Sequence, residues 1–234
     1  MKPILFLAFC LILIGCEDKK SEAESPFKQS IQKTKSKPVK KDTIVEKIPE
    51  FPFLTDDNAM EFFLEYEKEN KENKVRISTR FGDIEVLLYD KTKFHRANFI
   101  YLTKRGYFDK TQFYRVVNNF IIQAGNTDDP KVKRKRQQIG YYLLPPDTKR
   151  GFKHRRGVLS MPSSEIENAY KLASPFEFFI VQAPHGAHHL DGEYTIFGEV
   201  TQGMDVVDEI AAQKTDKGEW PLNNIYITKV EILD

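Results

Sequence analysis

The chain has 234 residues, with 36 Lys and Arg against 34 Asp and Glu and a net charge of +2. A balance this close offers no whole-protein argument for a nucleic-acid partner, and 40% hydrophobic content with 18 Phe and 10 Tyr excludes a wholly disordered or fibrous chain. Two cysteines, Cys10 and Cys16, allow one disulfide at most, and the length admits either one large domain or a medium one with attachments.

The chain opens with Met1-Lys2, runs apolar from Ile4 to Ile14, and turns polar after Gly15-Cys16 at Glu17-Asp18-Lys19-Lys20. One cation followed by an apolar run too short to span a bilayer reads as a secretory signal. Leu13-Ile14-Gly15-Cys16 resembles the lipobox of bacterial lipoprotein signals. That resemblance implies removal of residues 1–15 and lipidation of Cys16, which holds the protein to a membrane of the bacterial cell envelope, facing the periplasm or the cell exterior. Several acyl chains buried together anchor where a single one is marginal.

Residues 16–54 read as a lipidated flexible linker, because little in them recurs at a helical or strand period. Six lysines and no acid lie between Lys28 and Lys41. They fit a solvated spacer or, alternatively, a strip that lies against anionic lipid. Residues 55–73 change character. Thr55, Asp56 and Asp57 form a helix start, and Met60, Phe63, Leu64 and Glu67, widened by Phe62 and Tyr66, form an aromatic stripe. The stripe docks on the following domain or takes a partner helix.

From residue 74 to 234 the pattern is that of one mainly β domain. Val75–Thr79 and Ile84–Tyr89 alternate around a turn at Phe81-Gly82-Asp83. Further strand-length runs fall at 113–117, 119–123, 157–161, 177–182, 194–200 and 225–233, with short helices at 94–105 and 204–212. Many short strands with two helices argue for a closed barrel or a sandwich.

Several of these runs carry a family resemblance. Phe113-Tyr114-Arg115-Val116-Val117 and Phe120-Ile121-Ile122-Gln123-Ala124-Gly125-Asn126 resemble the active-site strands of the cyclophilins. In the same order follow Gly157-Val158-Leu159-Ser160-Met161, Phe178-Phe179-Ile180, Leu190-Asp191-Gly192 with Phe197-Gly198-Glu199-Val200, and Gly203-Met204-Asp205-Val206-Val207. The resemblance covers nearly all of 74–234. It implies a closed eight-stranded antiparallel barrel capped by two helices, and peptidyl-prolyl cis–trans isomerase activity with no metal or organic cofactor.

That activity makes a specific chemical demand. Rotation about a peptide bond meets a barrier of ~18–20 kcal/mol, because resonance gives the C–N bond partial double-bond character. No covalent bond need form. A catalyst holds the proline ring, grips the flanking backbone and favours the twisted state, in which the amide nitrogen gains a lone pair. A guanidinium supplies a donor to that nitrogen without deprotonating. The resemblance assigns this role to Arg115, with Phe120 and Gln123 as the other catalytic positions. It assigns substrate binding to Ile121, Ser163, Glu177, Phe179, His189, Leu190 and Tyr194. The expected substrates are Xaa-Pro segments of unfolded exported proteins, met by a monomer with no nucleic-acid partner.

Four positions depart from the family pattern. Glu177 stands where many members carry Gln, placing a carboxylate that could orient Arg115 or draw it off. Pro162-Ser163 replaces Ala-Asn, and His189 and Tyr194 replace Trp and His of other members. These departures keep open a second reading, a peptide-binding or scaffold module with weak or no turnover. His185, His188 and His189 suggest a metal, but no acid or cysteine is suitably spaced. The basic runs Lys131–Arg136 and Lys149–Arg156 read as solvated loops, or as contacts to anionic lipid or polysaccharide.

Overall fold

A computed structural model of the chain describes residues 51–164 and 168–233. The segment read as a signal, Cys16 and most of the segment read as a linker lie outside the described residues. Ten strands and four α-helices occur among the described residues.

Eight strands close into an antiparallel barrel: β2 (Lys74–Thr79), β3 (Gly82–Leu88), β4 (Gln112–Val117), β5 (Ile121–Asn126), β7 (Val158–Met161), β8 (Phe178–Val181), β9 (Thr195–Gln202) and β10 (Ile225–Leu233). Their spatial order is β10-β2-β3-β9-β7-β8-β5-β4. Closure depends on β10, whose first residues Ile225 and Tyr226 pair with Phe113 and Gln112 of β4 while Ile227–Leu233 pair with β2. A register irregularity between Ile227 and Lys229 bends the strand between its two partners. Closing the sheet leaves it no free edge.

Period-2 alternation divides β5, β7, β8 and β9 between two apolar clusters. Phe113, Val116, Ile122, Ala124, Leu159, Phe178, Ile180 and Phe197 point into the interior. Their neighbours Ile121, Val158, Phe179, Val181 and Ile196 form a second cluster on the outer wall, with Phe120, Leu190 and Tyr194 packed against it. Helix α2 (Lys93–Lys104) packs against β9 and β10, and α4 (Met204–Ala211) against β3, β4 and β5. The two strands under α2 are not neighbours in the sheet, and α4 reaches from the paired β4 and β5 to the separate β3, as a cap across an open end must.

The structure corrects four details of the sequence reading. The first helix, α1 (Ala59–Glu69), starts later than Thr55-Asp56-Asp57 suggests. Thr55 instead belongs to a two-residue strand, β1 (Leu54–Thr55), which pairs in parallel with β6 (Gly140–Tyr141), and Asp56 Oδ1 accepts from the Leu143 N–H. A fourth helix, α3 (Pro130–Ile139), occupies the basic run read as a loop. Asp129 caps it by accepting from the Lys131 N–H at 2.7 Å, and Pro130 opens its first turn. The expected strand at 119–123 begins at Ile121 and runs to Asn126, because Asn119 takes a left-handed turn (φ 61°) just before it.

Helix α1 lays its aromatic stripe on α2. The rings of Phe51, Phe62, Phe63 and Tyr66 surround Tyr101 at centroid distances of 5.3, 5.2, 5.8 and 5.5 Å. Beside them Arg96, 1% exposed, donates to Glu67 Oε2 at 3.3 Å and to the carbonyls of Asn70 and Glu72. A buried guanidinium without such acceptors would be costly.

Candidate active site

The outer cluster borders a cavity of about 400 Å³, lined by Tyr114, Arg115, Phe120, Ile121, Gln123, Pro162, Ser163, Phe179, Leu190 and Tyr194. Eight of the ten site positions read from the sequence therefore share one cavity. The other two lie close by. His189, in a single 3-10 turn (His188–Leu190), stacks on Phe120 at 5.3 Å, and Glu177 is joined to the wall through Tyr114. The size suits a small apolar group with flanking backbone.

Tyr114 and Arg115 are adjacent in sequence yet both reach the cavity. Simple alternation would send them to opposite faces. In the β4–β5 ladder Phe113 opposes Ala124 and Arg115 opposes Gln123, so Tyr114 is an extra residue, a β-bulge. The bulge lets Phe113 and Val116 stay in the interior while two consecutive polar side chains face outward.

Arg115 is one-third exposed at the cavity edge. Its Nε donates to Glu219 Oε2 at 2.7 Å, and its guanidinium carbon lies 6.0 Å from the Phe120 ring centroid. The carboxylate expected beside it, Glu177, is engaged elsewhere: Glu177 Oε2 accepts from the Tyr114 hydroxyl at 3.1 Å. The Tyr114 oxygen in turn accepts from Gln123 Nε2. This chain has a direction. An ionised carboxylate only accepts, so Tyr114 donates to Glu177 and takes its own bond from the Gln123 amide NH₂. Gln123 is thereby oriented with one amide N–H on the Tyr114 oxygen, and among the described residues its carbonyl oxygen accepts from no donor.

A second polar chain fixes the opposite wall. The His154 N–H donates to Asp191 Oδ1 at 2.7 Å, His154 Nδ1 lies 3.0 Å from the same oxygen, and Nε2 lies 3.1 Å from Ser160 Oγ. Burial alone would raise the Asp191 pKa, but the backbone and ring of His154 outweigh it and hold it down to about 2. Burial pushes the His154 pKa down, against the pull of Asp191. The Ser–His–Asp order suggests a hydrolytic relay, but Ser160 and His154 are fully buried and the Ser160 hydroxyl donates to the Thr195 carbonyl. The chain therefore ties the segment carrying Leu190 and Tyr194 to β7 and β9. Next to Gln123, Gly125 (φ 107°) allows another close approach, since a Cβ there would overlap the Phe176 carbonyl oxygen.

The sequence reading did not single out Tyr114 as a site residue, nor Pro162, Glu219 or Trp220. Trp220 lies against Tyr114 at 5.7 Å between centroids. No local pattern marks the Glu219-Trp220 turn, which meets the lining residues Arg115 and Tyr114 only because β10 closes on β4. No group of three or more His, Cys, Asp or Glu among the described residues could hold a metal ion.

Fold and site together define a class: a closed antiparallel barrel whose outer wall holds an apolar cavity edged by a guanidinium and an oriented amide. A family model described as cyclophilin type peptidyl-prolyl cis-trans isomerase/CLD matches residues 74–232. The chain is 32% identical over 163 residues to peptidyl-prolyl cis-trans isomerase CYP18-2 of Arabidopsis thaliana, covering 69% of this chain and 94% of that protein. It is 35% identical over 161 residues to peptidyl-prolyl cis-trans isomerase cypE of Dictyostelium discoideum, covering 68% and 96%. A 35% match over 169 residues to peptidyl-prolyl cis-trans isomerase-like 2 of Rhizopus delemar covers 71% of this chain but only 30% of that longer protein. A solved cyclophilin type isomerase of Cryptosporidium parvum superposes with a TM-score of 0.57 at 28% identity, covering 70% of this chain and 98% of that one. The structure of that protein in the presence of the dipeptide Ala-Pro gives 0.56 at 29%, covering 69% and 99%. The chain belongs to the cyclophilin-type peptidyl-prolyl cis-trans isomerase family.

Proposed function

We propose that the protein isomerises Xaa-Pro bonds of exported polypeptides, with Arg115 donating to the amide nitrogen of the twisted state. The observation that carries this reading is a guanidinium at the rim of an apolar cavity built by Phe120, Ile121, Phe179 and Leu190. The apolar walls suit a pyrrolidine ring, and the Ala-Pro dipeptide present with the Cryptosporidium parvum protein supports the same substrate class. As the bond twists, resonance is lost and the nitrogen gains a lone pair. A donor fixed beforehand at that point stabilises the twisted state more than either planar one, which is the condition for catalysis. The oriented carbonyl of Gln123 is suited to accept from substrate backbone N–H. Ser163 and Tyr194 add polar groups at the rim.

The site of action is the cell envelope, with lipid on Cys16 as the anchor. This rests on the Leu13-Ile14-Gly15-Cys16 pattern. Uncatalysed prolyl isomerisation takes tens of seconds or longer and can limit the folding of exported chains. Mass spectrometry of the N-terminal fragment tests the anchor: a lipid adduct on Cys16 supports it, and an unmodified Met1 start overturns it.

Magnetisation-exchange NMR on an Ala-Pro-containing peptide tests the activity. The wild-type chain accelerates exchange, and Arg115→Ala retains peptide binding while exchange falls towards background. Binding without exchange in the wild type would favour the second reading, a binding module without turnover. The departures at Ser163 and Glu177 are what motivate that alternative.

A further inference from the structure

The carboxylate that holds Arg115 comes from a turn more than a hundred residues away in sequence. Glu219 Oε2 takes only Nε, the inner nitrogen of the guanidinium, at 2.7 Å. No hydrogen bond among the described residues uses the two terminal nitrogens. A guanidinium gripped at Nε keeps its plane and the N–H donors of its two terminal NH₂ groups available.

Glu219 is itself held firmly. Its carbonyl accepts from the N–H of Val116, the residue after Arg115, at 2.9 Å, and its own N–H donates to the Asp216 carbonyl at 3.1 Å. Asp216 Oδ1 accepts from the N–H groups of Gly218 and Trp220, and Thr215 bridges to Pro221 across the turn. Glu219 also occupies the left-handed region (φ 65°), one of four non-glycine residues with positive φ among the described residues. A glutamate gains nothing intrinsic from that conformation, and such residues gather where the surroundings hold them for a purpose. The side chain is 42% exposed, so the ion pair adds little to folding stability.

We infer that Glu219 is a positioning residue, which sets the plane of the Arg115 guanidinium so that its terminal N–H groups point at the proline nitrogen of the substrate. The inference rests on the catalytic reading of Arg115 and deepens it. Strand β4 and the Glu219 turn are joined by a backbone hydrogen bond, so the carboxylate and the arginine move as one unit. Misplacement of a reacting group by about an ångström is worth up to roughly a hundredfold in rate.

The test uses the full chain and the variants Glu219→Gln, Glu219→Ala, Arg115→Ala and Arg115→Ala/Glu219→Ala. The readouts are Ala-Pro peptide exchange by NMR, peptide affinity by titration, and the Arg115 Nε–Hε resonance. Glu219→Ala is expected to slow exchange roughly 10- to 100-fold, leave peptide affinity within about twofold, and shift or broaden the Nε–Hε signal. Glu219→Gln keeps an acceptor in place and recovers much of the rate. The double variant is expected to exchange no more slowly than Arg115→Ala, since a residue acting through Arg115 has nothing left to position. Wild-type exchange in Glu219→Ala with loss in Arg115→Ala overturns the positioning role and leaves the arginine reading intact. Exchange faster than wild type in Glu219→Ala also overturns it, because the carboxylate is then a brake. Wild-type exchange in Arg115→Ala sinks the arginine reading itself.

Discussion

The inner and outer faces of the same four strands, β4, β5, β8 and β7, make an instructive contrast. Ile121 and Ile122 are chemically identical neighbours. Ile122 closes the barrel interior, whereas Ile121 lines the cavity. Phe178 and Phe179 divide in the same way. The inner face is apolar throughout, and its residues are interchangeable in chemistry if not in shape. The outer face mixes apolar walls with Arg115, Gln123 and Tyr114, each committed to a partner by a directed bond. One sheet thus separates stability from chemistry by a step of a single residue, and the bulge at Tyr114 adjusts that separation where two polar groups must stand together.

The contrast breaks most severely on its inner side. Phe178 is fully buried and meets Phe99, Phe108 and Phe113 edge-on at 5.4, 5.7 and 6.4 Å. Phe178→Ala is expected to cost about 3–5 kcal/mol of folding stability by the transfer and cavity terms together. Urea unfolding measures it, and a loss under 1 kcal/mol would mean the interior is not packed as described. On the outer side, Arg115→Ala is expected to lower kcat/KM for an Ala-Pro peptide by about 10²–10³, the scale for one preorganised donor, with the urea midpoint nearly unmoved. A parallel fall in stability would show that the two faces are not separable.

Acid should act on the capping helix before the site. His95 in α2 is 1% exposed, neither ring nitrogen has a hydrogen-bond partner among the described residues, and burial pushes its pKa from 6.5 down to about 4. The unfolded chain therefore takes up the proton first. Stability is complete above pH 6.5 and is lost as pH falls towards 4, by about 3 kcal/mol in all. His154, also pushed down by burial, adds the same sign. Urea midpoints at pH 7 and pH 4.5 check the size, and His95→Leu should remove most of the difference. A pH dependence unchanged in that variant would assign the acid sensitivity elsewhere.

Much of this architecture was legible in the residues because two signals reinforced each other. Alternation places the eight barrel strands, and motifs in a fixed order bring Arg115, Phe120, Gln123 and Leu190 to one cavity. What stayed hidden has a physical cause in each case. Period-2 reasoning cannot see a bulge, so nothing in the pattern sets Tyr114 beside Arg115. Helix α3 is so rich in cations that its two buried residues, Val132 and Ile139, form no visible stripe, although Asp129-Pro130 is a serviceable start signal. The Glu219 turn acquires meaning only when β10 reaches β4, a long-range event with no local signature.

Phe120→Ala tests the apolar wall by itself. Phe120 is half-buried, packs on the outer cluster and stacks with His189. Removing the ring is expected to weaken Ala-Pro peptide binding by about tenfold, or ~1.4 kcal/mol. Titration of the peptide measures it, and an unchanged affinity would place the proline ring elsewhere in the cavity.

The smallest expected effect is the sharpest test of how the two polar neighbours divide their work. Tyr114→Phe keeps the ring against Trp220 and removes only the hydroxyl between Gln123 and Glu177. Gln123 then loses the acceptor that fixes its NH₂, so its amide is free to turn over and present a donor where an acceptor stood. A single net hydrogen bond is worth about 0.5–1.5 kcal/mol, which corresponds to a fall in peptide affinity of roughly two- to tenfold. The Arg115–Glu219 pair does not pass through this hydroxyl, so the exchange rate of bound peptide should change less than its affinity. If the rate falls and affinity holds, the Tyr114 chain serves the twisted state and not the substrate backbone, and the division of labour between Gln123 and Arg115 must be redrawn.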